Sequence, residues 1–153
     1  MSQTHRERPI DILLVEDNPG DVRLTQEAFR EARVRNDLHV VTRGSDALDY
    51  LAQRGEYEDV RLPDIVLLDL NLPDMSGIDV LKEIKNSPEL KIIPVLALTS
   101  SRAEEDIVKG YEEHANAYLT KPIDPDEFIT LARSIGEFWI QMVELPTIDG
   151  EDE

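Results

Sequence analysis

Apolar residues in this chain fall in short blocks, and four of the blocks end on a polar residue. They are positions 10–15 before Glu16 and Asp17, 65–68 before Asp69, 94–98 before Thr99, and 117–119 before Thr120 and Lys121. Each block has the length of a strand. The stretch 38–41 makes a fifth strand, and the run DIVLLDL is apolar without alternation, as a central parallel strand covered on both faces should be. Helical spacing fills the gaps: Val22, Ala28, Phe29 and Ala32 recur behind a cap at Asn18, with Pro19 at the first helical position. Ser45 is placed to cap a short helix through Ala47, Leu48 and Leu51, and Ser76 with Asp79 to open a helix over 78–85 that the Ser87-Pro88 step ends. Ser101 with Glu104 opens the fourth helix, and Asp124, Pro125 and Glu127 open the last. The polar stretch 54–62 reads as an irregular connection. Five βα units follow, with no internal repeat and no linker long enough to separate a second domain, so the pattern predicts one α/β domain with a parallel sheet covered on both faces.

Ligand sites of open α/β sheets lie at the carboxyl ends of the strands. Here those ends would gather Glu16, Asp17, Asp69, Thr99 and Lys121 in one crevice. Three carboxylates in a partly desolvated crevice repel one another, and a divalent cation relieves that repulsion. An all-oxygen set with few protein ligands suits Mg²⁺, which keeps several waters. Asp69 follows the buried central strand and precedes the turn-forming Asn71-Leu72-Pro73, which presents its carboxylate at the crevice floor. A carboxylate so placed can attack phosphorus and form an aspartyl-phosphate. Lys121 would neutralise the transferred phosphoryl oxygens, and Thr99 would donate a hydrogen bond to one of them. Singly, each residue reads as an ordinary loop acid, strand-end hydroxyl or surface cation; their joint placement carries the functional reading.

Composition narrows the setting. The chain has 153 residues and 41% apolar content, enough for one core. With 33 acidic against 16 basic residues it carries a formal charge of -17, which argues against a surface built to neutralise nucleic-acid phosphates. The acids are spread along the whole chain and only five basic residues are lysines, a pattern that fits a high-salt cytoplasm as well as an ordinary acidic signalling domain. Absence of cysteine rules out disulfides and thiolate chemistry. No apolar stretch reaches the ~20 residues of a spanning helix, and MSQTHRERP does not resemble a signal peptide, so a cytoplasmic protein without membrane contact is expected. Residues 1–8 read as a disordered arm, 9–143 as the domain, and 144–153 as an acidic tail too small to be an output domain.

The segments ILLVEDNPGD, DIVLLDLNLPDMSG, PVLALTSS and AYLTKPID together resemble the receiver domain of two-component response regulators, over about 10–143. That resemblance implies a flavodoxin-like, doubly wound (βα)₅ fold with strand order 2-1-3-4-5. It implies that Glu16 and Asp17 form the acidic pair, with Asp17 on Mg²⁺. Asp69 would be the phosphoacceptor, and Asn71 would lend its backbone carbonyl to the metal. Thr99 and Tyr118 would be the switch hydroxyl and switch aromatic, and Lys121, with a cis bond to Pro122, the phosphate-pairing lysine. The phosphoryl donor would be a sensor histidine kinase, and the output a protein contact.

Two further segments, GSDALDYLAQRGEYED and SIGEFWIQMVELP, are similar to single-domain regulators paired with bacteriophytochrome-type kinases, where the extended last helix takes part in dimerisation. Adjacent Phe138 and Trp139 cannot both face one core, so with Val143 they are expected to form a homodimer seam. His5, His39 and His114 have no metal-ligand spacing and read as structural or solvent-facing. A phosphatase of the haloacid-dehalogenase type would need a second carboxylate where Asn71 stands. A flavodoxin-like cofactor binder would meet a phosphate-repelling EDNPGD loop. A module that has lost phosphorylation is opposed by the intact constellation.

Overall fold

The computed structural model describes residues 8–109 and 117–148, with side chains as far as Phe138. Its strands are β1 (Ile10–Val15), β2 (Asn36–Val41), β3 (Ile65–Asp69), β4 (Val95–Thr99) and β5 (Ala117–Thr120). They alternate with α1 (Pro19–Glu31), α2 (Gly44–Leu51), α3 (Gly77–Asn86), α4 (Arg102–Lys109) and α5 (Pro125–Ile148), and a 3₁₀ turn covers Gly55–Tyr57. Every strand pairing is parallel and the order is β2-β1-β3-β4-β5. The sheet is therefore flavodoxin-like and doubly wound, as the resemblance implied.

Strand parity sorts the core into two layers, because successive residues of a strand point to opposite faces. On one face Ile12, Leu14, Leu67, Leu96 and Leu98 pack under Ala28 and Phe29 of α1 and Phe128 and Ala132 of α5. On the other, Leu13, Val15, Val66, Leu68 and Ala97 pack under Leu51 of α2, Val80, Leu81 and Ile84 of α3 and Val108 of α4. Each fully buried Leu or Ile contributes about 1.5–3 kcal/mol relative to exposure, so unbroken apolar strands are what hold both helical layers. Phe29 and Phe128 meet edge to face, their centroids 6.3 Å apart, which ties α1 to α5.

Several helix starts follow local rules. Asn18 Oδ1 accepts from the backbone N–H groups of Gly20 and Asp21, Ser76 Oγ from Ile78, Ser101 Oγ from Glu104, and Asp124 Oδ1 from Asp126. Elsewhere tertiary structure overrides them. Ser45 does not cap α2: the helix begins at Gly44 without a local side-chain cap. The carboxylate of Asp74, from the loop after β3, accepts from the backbone N–H groups of Gly44 and Ser45 at 2.8 and 3.0 Å. β2 starts at Asn36, two residues before the apolar stretch, because its full length pairs with β1 from Ile10↔Asn36 onward. α5 runs to Ile148, so residues 144–148, Pro146 among them, are helix where the sequence reads as an acidic tail. Arg8, assigned from sequence to the disordered arm, instead lies 3.6 Å from Asp11 and 3.5 Å from Asp64. Residues 1–7 of that arm, and the tail beyond Ile148, lie outside the described residues. Among the described residues, no helix is long and apolar enough to cross a membrane.

Candidate functional site

Register places the acids side by side. Val15 pairs with Leu68, so Glu16 and Asp69 follow at the carboxyl ends of adjacent strands. Both are buried, at 0% and 1% exposure, while Asp17 on the outgoing loop is exposed. One ligand oxygen from each of Glu16, Asp17 and Asp69 falls within 4.8 Å of the others, and this is the only such group among the described residues. Further along the sheet Thr99 pairs with Thr120, which brings Lys121 to the same crevice through a cis bond to Pro122. Its Nζ lies 3.1 Å from Glu16 Oε1, 3.3 Å from Asp69 Oδ2 and 3.0 Å from Asp21 Oδ2.

The backbone orients these groups. Asp69 Oδ1 accepts from the Asn71 N–H at 2.9 Å, which turns Oδ2 toward the lysine. Glu16 Oε2 accepts from the Asn18 N–H at 3.2 Å. Three carboxylates around one ammonium, with Asp17 beside two of them, leave excess negative charge, and the raised pKa of Glu16 reflects it. Burial, then the hydrogen bond to Asp69 and the charge of Asp69, push Glu16 up to about 7, against the pull of Lys121. Burial alone would lower Lys121, but the hydrogen bond it donates to Asp21 and the charges of Glu16 and Asp69 outweigh it and hold its pKa above the ordinary lysine range. A hard divalent cation fits this donor set: the ligands are all oxygen, they are preassembled, and two of them are buried acids with too little positive charge beside them.

The remaining sequence-derived residues sit around this centre. Thr99 is fully buried, and its hydroxyl donates to the Leu119 carbonyl at 3.4 Å, a long bond. Tyr118 is half-buried on β5, with Lys109 Nζ 5.6 Å from the ring centroid. Asn71 holds Asp69 through its N–H, and its side-chain amide donates to the Ser100 hydroxyl. His39 is exposed with its ring 4.7 Å from that of Tyr50, a packing role; His5 and His114 lie outside the described residues. Phe138 belongs to another place: it is 54% exposed and lines an apolar cleft of about 440 Å³ with Ile10, Ile92, Pro94 and Ile135, at the amino ends of the strands. The side chains of Trp139 and Val143 lie outside the described residues.

Sequence reasoning missed Asp21 and Asp74. Asp21 stands in the first turn of a helix, where an acid is favoured in any case by the helix dipole, so its type carried no signal of a site. Asp74 partners residues 30 positions away, which no local pattern announces.

Comparison with known proteins gives a consistent picture. The family model for the response regulator receiver domain matches residues 12–133. The response regulator Rcp1 of Synechocystis sp. is 44% identical over 138 residues, covering 90% of this chain and 94% of Rcp1. The crystal structure of the phosphorylated cyanobacterial phytochrome response regulator RcpA matches with a TM-score of 0.74 at 43% identity, covering 88% of this chain and 96% of that one. The Mn²⁺-bound form of Rcp1 matches with a TM-score of 0.73 at 43% identity, covering 87% and 96% respectively.

Proposed function

The chain belongs to the response regulator receiver domain family, and on that premise we propose that it accepts a phosphoryl group on Asp69 from a sensor histidine kinase and signals through the protein contacts this changes. One observation carries the reading. Asp69, buried at the carboxyl end of the central strand, is the acid that Lys121 and the other two carboxylates converge on. In the transfer, an Asp69 carboxylate oxygen forms the bond to phosphorus while the phosphorus–nitrogen bond of the donor phosphohistidine breaks, its electron pair staying on the imidazole. The Asn71 N–H fixes the carboxylate plane, and Lys121 offers the nearest positive charge to the phosphoryl oxygens. Glu16, Asp17 and Asp69, with the Asn71 carbonyl, would hold Mg²⁺, which when bound neutralises charge on the transferring group.

The signal follows from weak contacts near strong charge. Thr99 gives up little by leaving a 3.4 Å bond, so a dianion on Asp69 would draw its hydroxyl inward. Half-buried Tyr118 would rotate into the space vacated, and the face formed by α4 and β5 would change its preference for a downstream protein. The similarity to RcpA, a phytochrome response regulator, supports a phytochrome-type kinase as donor. Exposed Phe138 beside Ile92, at 54% and 71%, supports a homodimer seam that continues along α5 to Trp139 and Val143. Replacing Phe138 and Trp139 should yield monomers by sedimentation that still accept phosphate; a wild type monomeric at all concentrations would remove the seam.

The deciding experiment is incubation with acetyl phosphate and Mg²⁺ followed by intact-mass and phosphosite analysis. One phosphoryl group on Asp69, and none on Asp69→Asn, is the expected result. Stoichiometric labelling of the Asn variant would sink the assignment.

A further inference from the structure

Lys121 has more carboxylate around it than pairing with a phosphoryl group requires. Two of its three partners, Glu16 and Asp69, are acids a divalent cation would claim; the third, Asp21, is outside that cluster and makes the shortest contact, 3.0 Å. Local structure leaves Asp21 free to make it. At a helix start an acid commonly turns back to the open N–H groups, but here Asn18 Oδ1 already accepts from Gly20 and Asp21, at 2.8 and 3.1 Å. The backbone beneath is held by Thr25, whose hydroxyl donates to the Asp21 carbonyl at 2.8 Å. The Asp21 carboxylate therefore projects from a fixed turn of α1 across to the end of β5.

We propose that Asp21 is a positioning residue for Lys121: it holds the ammonium at the crevice with a carboxylate that neither ligates metal nor takes phosphate, so that Glu16 and Asp69 can pass to a divalent cation without expelling the lysine. The inference rests on the phosphoacceptor reading above and adds to it a resting place for the cation. A metal arriving at Glu16 and Asp69 repels an ammonium seated on the same oxygens. Without Asp21 the lysine has two choices, to compete with the metal or to leave for solvent and return when the phosphoryl group forms. With Asp21 it pivots on one contact and stays within reach. Lys121 side-chain exposure of only 19% leaves little room for the solvent route.

The test uses the full chain in three steps. In metal-free protein, the side-chain ammonium resonance of Lys121 should shift in Asp21→Asn and stay in place in Glu27→Gln, which removes the same charge from the same helix at an acid paired with Arg30. In Mg²⁺ titration, Asp21→Asn should weaken binding by about tenfold, the usual scale for groups that orient ligands from behind. In a Lys121→Met background the same substitution should change Mg²⁺ affinity by less than about twofold, since the cycle isolates what passes through the lysine. An equal loss in both backgrounds would mean that Asp21 acts as a bare charge, and an unmoved Lys121 resonance would mean that the ion pair does not exist; either overturns the proposal. Asp21→Ser serves as a second neutral variant should the Asn form fail to fold, and Asp21→Glu should recover part of the affinity. Failure of the phosphoacceptor reading is distinct: the wild type would itself bind no Mg²⁺ and take no phosphate, while the resonance would still decide the ion pair.

Discussion

Replacing Gly77 with Ala tests how α3 is set against the phosphoacceptor strand. A Cβ at position 77 would lie 2.4 Å from the Asp69 carbonyl oxygen, 2.5 Å from Leu70 Cα and 3.1 Å from the Asp69 carbonyl carbon. All three are backbone atoms, so no rotamer change relieves the overlap and the helix start must lift off β3. That motion also strains the bond in which the Gly77 N–H donates to the Leu70 carbonyl at 3.0 Å. Overpacking ordinarily costs about 1–3 kcal/mol, and a site with no side chain to yield belongs at the top, about 3 kcal/mol. In a domain of this size that lowers Tm by about 6–12 °C. Gly44→Ala is the internal comparison. Its Cβ would meet Met75 Cγ at 2.4 Å and Sδ at 2.7 Å, atoms of a flexible side chain, so about 1 kcal/mol and about 2–4 °C are expected. Thermal melts of both variants in EDTA, with acetyl phosphate labelling at 25 °C alongside, give the assay. Gly77→Ala should also label more slowly, because the displaced carbonyl belongs to the phosphoacceptor itself. A Gly77→Ala melt within about 2 °C of wild type, or one above that of Gly44→Ala, would refute the backbone-contact reasoning.

Two further outcomes follow from charge. In the metal-free chain Glu16 titrates at about 7 rather than at its model-peptide 4.5, so between those values the folded chain keeps a proton that the unfolded chain has released. Raising the pH through that window should cost the folded state up to about 3 kcal/mol; Glu16→Gln should flatten the profile in denaturant titrations, and an unchanged slope in that variant would remove the cause assigned to it. Stability should also rise with KCl to molar concentration, since screening relieves repulsion at a net charge of -17; a Tm that is flat or falling across that range would dispose of the salt-adaptation reading.

The strands along the chain and the residues at their ends were readable from the sequence, because a buried parallel strand must be apolar throughout and its first polar residue is then a strand end at the crevice; their order in the sheet came only with the receiver resemblance. That logic points to Glu16, Asp69, Thr99 and Lys121, and Asn18, Ser76, Ser101 and Asp124 were readable as caps because a cap acts within three residues of itself. Edge positions were less legible: half-exposed β2 reads only over its apolar centre, and the pairing with β1 sets its true start. What tertiary structure alone decided is which distant groups meet. Asp74 replaces Ser45 at the start of α2 because the loop after β3 passes close to it, and the Thr99 hydroxyl turns toward Leu119 because β5 lies beside β4. Above all, the register of β1 with β3 and the path of Lys121 after β5 determine that one ammonium is shared by Glu16, Asp69 and Asp21. Residue type can announce a carboxylate and a cation; only the distances among them, which charge interactions weigh directly, decide which acid holds the lysine.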